Sequence, residues 1–187
     1  ALLEKLVGTR RSRNTKEGYG RDLEDFFRTA LGAPPSEDVV RRFLNMRREE
    51  AIALALDFKA SLLERGLAQA TVNRKLAALR SLVKLAHVLG ICAWQLDGDA
   101  VPDEKVRAYR DTTGVSPDKI RVMLGVPDRT TLKGKRDYAI LLLLWENALR
   151  RSELAACDVA DFDPEERVLW ILGKGRGREK DKIDLSD

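Results

Sequence analysis

Apolar residues recur at helical spacing in four successive stretches of the first 90 residues, with short breaks between them. The first stretch takes Asn14 as an N-cap with Glu17 three residues on, and sets Tyr19, Leu23, Phe26 and Ala30 on one face. Gly32-Ala33-Pro34-Pro35 stops it. Ser36 caps a second helix with Val39, Val40, Phe43 and Leu44 inward. A third runs through Ile52, Ala55, Leu56, Leu62 and Leu63 until Gly66 ends it. Thr71 opens a fourth, Val72 to about Leu89, whose Val72, Leu76, Leu79 and Val83 form an inward stripe. Four short helices in close succession predict a small antiparallel bundle over residues 1–90.

The pattern then changes. Residues 91–112 read as a linker: Asp97-Gly98-Asp99 is turn-like, Pro102 breaks regular structure, and Asp103 to Arg110 is charged without an apolar stripe. Residues 113–187 read as a second domain. Ser116-Pro117 sets an N-cap and a proline at the first helical position for a helix running toward Leu124. Arg136 to Trp145 is expected as a helix buried almost all round. Val168 to Leu172 is a dense β-branched and aromatic run and Lys182 to Leu185 a shorter alternating one, with a glycine-punctuated turn between them. Together with Asp158 to Asp163 they predict a small antiparallel sheet. The fold class expected is mainly α, with an α+β second part.

Composition narrows the chemistry. With 187 residues, 44% hydrophobic and 34% charged, the chain can bury one good core or two small ones. Cys92, Cys157 and the single His87 support neither a disulfide framework nor a zinc site, so no metal is expected. Ile140 to Trp145 is too short to span a bilayer and no leader pattern opens the chain, which leads to the expectation of a cytoplasmic protein. The net charge of +4 is unevenly placed: residues 1–90 carry 17 Lys and Arg against 11 Asp and Glu, residues 91–187 carry 17 against 19. A basic first half fits a polyanion partner or an ordinary solvated helical surface.

Two groups of residues carry candidate chemistry. On the fourth helix Asn73, Ala77, Arg80 and Lys84 make a second stripe, rotated about a quarter turn from the apolar one. Small Ala77 would let the helix approach a major groove while the amide and cations reach base edges or phosphates; the plainer reading is a solvated face. Near the end, Arg150, placed where one helix stops and another turn starts, can present a bidentate fork to two phosphate oxygens. Lys174 lies in the turn Gly173-Lys174-Gly175-Arg176-Gly177-Arg178, which is either a device for placing one cation on that same phosphate or a basic hairpin touching phosphates nonspecifically.

These stretches resemble the tyrosine recombinases, the phage-integrase and Xer-like family. Gly66 to Arg80 is similar to the last helix of the family's core-binding domain and Asn14 to Leu23 to its first, while Arg136 to Trp145 and Ala148-Leu149-Arg150-Arg151-Ser152-Glu153-Leu154 are similar to the opening of its catalytic domain. The resemblance implies a four-helix SAM-like core-binding domain, a linker that lets two domains close on DNA, and an α+β partial catalytic domain. It implies double-stranded DNA as partner, with Thr15, Lys16, Asn73, Arg74, Arg80, Lys84, Arg176 and Arg178 as contacts and Asn73 as the base reader. Arg150 takes the place of the family's first catalytic arginine, Glu153 that of a supporting acid, and Lys174 that of the general acid that protonates the leaving 5′ oxygen. Arg151 is expected at the surface.

Two departures accompany the match. Ala148 stands where the family usually has glycine. The family's His-x-x-Arg pair, further His or Trp and nucleophilic tyrosine follow the hairpin lysine, whereas no histidine or tyrosine follows Tyr138 here. Tyr19, Tyr109 and Tyr138 have core or linker readings, so no nucleophile is assigned. The expectation is a chain that holds DNA without cleaving it, monomeric by itself, from a parent that recombines DNA as a homotetramer through a phosphotyrosine, with no cofactor. A helical DNA-binding regulator and a protein-interaction module are the alternatives.

Overall fold

The computed structural model describes residues 2–8, 13–106, 114–173, 177 and 179–185. Among these lie eight α-helices followed by one three-stranded sheet, and the chain divides into two units, Ala1–Tyr109 and Arg110–Asp187.

The first unit contains α1 (Leu2–Gly8), α2 (Arg13–Leu31), α3 (Glu37–Leu44), α4 (Arg48–Glu64) and α5 (Gln69–Val88). The four expected helices are present, and α1 adds a fifth that docks Leu6 on the core. At the centre Phe26 meets Phe27, Phe43 and Phe58 edge to face, with ring centroids 5.1 to 5.3 Å apart. Against them α5 buries Val72, Leu76, Leu79 and Val83, as the inward stripe predicts, and adds Leu82. Each such side chain contributes about 1.5–3 kcal/mol of burial. Gly32 and Gly66 follow α2 and α4 at φ +68° and +70°, the left-handed geometry that glycine adopts without a Cβ penalty. Ser36 accepts a hydrogen bond from the Val39 amide at 3.3 Å and caps α3.

Several local expectations shift. Asn14 lies inside α2 rather than capping it, because Arg13 is already helical and pairs with Glu17 one turn on at 2.7 Å. The fourth predicted helix starts before Thr71: the Ala68 carbonyl accepts from the Thr71 and Val72 amides, so α5 begins at Gln69. Leu56 and Leu63 face outward, since α4 turns Ala51, Ala55, Phe58 and Leu62 to the core. The linker expected over 91–112 does not hang free over its described part. Cys92, Trp94, Leu96 and Val101 are buried in the first unit's core, and the Trp94 indole donates to the Met46 carbonyl at 2.9 Å.

In the second unit α6 (Pro117–Leu124) and α7 (Leu132–Glu146) are joined by a turn in which Thr131 caps α7 by accepting from the Gly134 amide. Ser116 precedes α6 but makes no side-chain cap bond. α7 is not buried all round: Leu141 to Leu144 are half-buried and Trp145 is 47% exposed, because within this unit only one side of the helix is covered. After α8 (Arg151–Leu154), the strands β1 (Phe162–Asp163), β2 (Val168–Ile171) and β3 (Asp181–Asp184) form an antiparallel sheet in the order β1-β2-β3. Leu149, Leu169 and Ile171 are the buried centre of this unit. No helix among the described residues is long and apolar enough to cross a membrane.

Candidate nucleic-acid interface and phosphate site

On α5 the second stripe is present, yet most of it is already occupied. Asn73 donates from Nδ2 to the Glu104 carbonyl at 2.9 Å, and its Oδ1 accepts from the Glu104 amide at 2.8 Å. One N–H and one lone pair of the amide group are thereby committed, so in this arrangement Asn73 is held by the strap on both sides and cannot offer that donor and acceptor to a base edge until Glu104 moves away. Arg80 donates to Asp103 Oδ1 at 2.9 Å and to the Val101 carbonyl at 2.6 Å, while its Nε is buried without a hydrogen-bond partner. Lys59 of α4, which sequence reasoning did not single out, donates to the Pro102 carbonyl at 2.6 Å and pairs with Glu104 at 2.7 Å. Residues 101–104 thus lie as a strap across three polar side chains of α4 and α5.

The other expected contacts divide in two. Arg74 is paired with Asp22, a buried carboxylate of α2 that Lys75 also approaches at 3.4 Å. Lys75 and Arg65 both reach Asp25, at 2.8 and 3.0 Å, and their pull lowers its pKa against the desolvation that would raise it. Arg74 is therefore part of a charge network tying α2 to α5. Lys84 is exposed and Lys16 half-buried, both without an ion pair among the described residues, and Thr15 is exposed in the first turn of α2. Arg80, Ser81, Lys84, Gln95 and Leu96 line an open cavity of about 230 Å³.

Arg150 stands at the N-cap of α8. The chain reaches it through Ala148, at φ +49°, and Leu149, buried in the small core. Glu153, itself only 5% exposed, then grips it twice: Oε2 accepts from the Arg150 amide at 2.8 Å and Oε1 from Nη1 at 2.6 Å. One carboxylate fixes both backbone and guanidinium. The Arg150 side chain stays 66% exposed, so the rest of the fork faces solvent, where an anion can reach it. Arg151 is exposed, as expected.

Lys174, Arg176 and Arg178 lie outside the described residues. The base of their hairpin is described. β2 pairs with β3 from Val168 opposite Asp184 to Ile171 opposite Asp181. Lys180 pairs with Asp161, which also accepts from the Asp158 amide at 2.9 Å. The Lys180 ammonium beside it holds the Asp161 carboxyl below its usual range. Of the tyrosines, Tyr138 is half-buried under the Arg129 guanidinium, 4.6 Å from the ring centroid, and Tyr19 packs against the first unit's core. Tyr109 lies outside the described residues.

Residues 1–87 match the phage integrase N-terminal SAM-like domain. A tyrosine recombinase of Synechococcus elongatus is 48% identical over 185 residues, covering 99% of this chain and 57% of that protein. One of Synechocystis sp. is 45% identical over 175 residues, covering 94% and 55%. The tyrosine recombinase XerC of Neisseria meningitidis is 29% identical over 192 residues, covering 100% and 58%. The chain spans a little over half the length of these curated relatives. The integrase of the Tn1549 transposon, solved with circular intermediate DNA, shares the fold with a TM-score of 0.55 at 20% identity, covering 100% of this chain and 60% of that one.

Proposed function

We propose that this chain, which belongs to the tyrosine recombinase or phage integrase family, is the part of a site-specific recombinase that grasps duplex DNA and holds the reacting phosphate. The observation that carries the reading is Arg150, braced by buried Glu153 at backbone and side chain with the remainder of its fork exposed. Attack on a phosphodiester builds negative charge on the non-bridging oxygens, and a guanidinium already fixed in place stabilises that charge without reorganising. In the whole protein a tyrosine hydroxyl attacks phosphorus, the 5′ oxygen leaves with a proton from Lys174, and the phosphotyrosine keeps the energy of the broken bond for rejoining. This chain supplies Arg150, Glu153 and Lys174 to that step and no nucleophile, so by itself it binds without cutting. The tetramer on two DNA sites and the cytoplasmic location belong to the same proposal.

The test is a titration of the chain with duplex DNA drawn from a randomised pool, across a salt series. Lys16→Ala/Lys84→Ala is expected to weaken binding and to lower the slope of log K against log salt by about 2, one phosphate contact per lysine. Arg150→Ala/Lys174→Ala is expected to weaken binding as well. Unchanged affinity in the second variant would favour a helical regulator that reads DNA with its first unit alone. No binding to duplex at low salt would leave a protein-interaction module.

A further inference from the structure

The strap over α5 bears on how the proposed DNA surface is regulated, and it rests on the DNA reading above. We infer that residues 101–104 act as an internal stand-in for DNA, covering the polar stripe of α5 until duplex displaces them.

The chemistry of the contacts supports this. The strap offers Arg80 and Lys59 what a phosphate backbone would offer, two carboxylates from Asp103 and Glu104 and carbonyl acceptors from Val101 and Pro102; to Asn73 it offers an acceptor and a donor, the Glu104 carbonyl and amide, as a base edge would. All three side chains belong to the stripe or its flank. The strap is held at one end by Val101, which is fully buried, so its tip can lift without the chain leaving the core. Its other contacts are polar, and such bonds exchange for solvent or anion at small net cost. The fit is also imperfect: Arg80 Nε is buried with no acceptor, a loss that ends once the guanidinium turns to a phosphate or to water. Two arrangements of one short segment, one closed over the helix and one lifted, are then linked to DNA by mass action. The measured affinity is the intrinsic one reduced by the fraction of molecules with the strap lifted.

The experiment compares Asp103→Asn/Glu104→Gln with Asp57→Asn/Glu64→Gln in duplex titrations of the 187-residue chain at several salt concentrations. The second pair removes the same charge from exposed carboxylates of α4 that make no contact with the strap, so it corrects for long-range charge. The strap variant is expected to bind about tenfold tighter than wild type, the worth of about one charge-assisted hydrogen bond, and the control to change less than about twofold. Hydrogen exchange supplies a readout independent of charge. The Glu104 amide, bonded to Asn73 Oδ1, is expected to exchange faster when wild-type chain is saturated with DNA. Equal affinities for the two variants, or a Glu104 amide as protected with DNA as without it, would overturn the strap and leave the DNA reading intact. Absence of DNA binding by every variant would remove both.

Discussion

Ala148 holds a left-handed conformation at φ +49°, one residue before the buried Leu149 and two before Arg150. The methyl group is strained there, and the strain lies in the turn that aims the arginine. Ala148→Gly is expected to stabilise the second unit by about 1 kcal/mol; a urea midpoint that stays put or falls would contradict the assignment of strain. Glu153→Ala should do the opposite. It frees the Arg150 guanidinium and strands its amide, at a cost of about 1–3 kcal/mol. A further residue gives a pH signature. Asp161 has its folded pKa lowered by Lys180 and by the Asp158 amide, so its contribution is present above the unfolded value of about 3.9 and is lost as pH falls through the folded value. Exchange protection in β2 and β3 should therefore decline below about pH 4, and Asp161→Asn should remove that dependence.

Among the elements, the join between α6 and α7 depends on close approach at Gly134. A Cβ placed there would lie 1.8 Å from the Asp128 carbonyl oxygen, which is backbone and cannot move aside. Gly134→Ala is expected to cost about 3 kcal/mol or more, read as loss of α7 amide protection. Nothing in the sequence around Gly134 announced this, because the clash arises between two turns of chain rather than within one helix. Other elements were legible. The Val72, Leu76, Leu79, Val83 stripe located the face of α5, and Gly32 and Gly66 marked where α2 and α4 stop. The face of α4 was read less well, since Ala51 and Ala55 hide half of it behind small side chains while exposed Leu56 and Leu63 imitate it. The strap was read as a plain linker because its hold comes from Asn73, Arg80 and Lys59, far away in sequence. Arg150 and Glu153 were legible as a spacing of three; that Glu153 would also cap the backbone of Arg150 was not.

As a molecule, the chain is unequal. The first unit centres on four interlocked phenylalanines, while the buried centre of the second among described residues is Leu149, Leu169 and Ile171, under an α7 that is only half covered. Unfolding in urea is expected to proceed in two steps, the second unit losing amide protection first, and a single concerted transition would contradict this. The tryptophans are divided in the same way. Trp94 is 9% exposed, edge-on to Phe43 at 5.6 Å, whereas Trp145 and Trp170 are 47% and 44% exposed. An indole in an apolar surround emits to the blue and one in water to the red, so the two units fluoresce in different colours. Acrylamide will quench the red part first, and what remains is light from Trp94 alone, seven residues ahead of Val101 in the segment that ends in the strap.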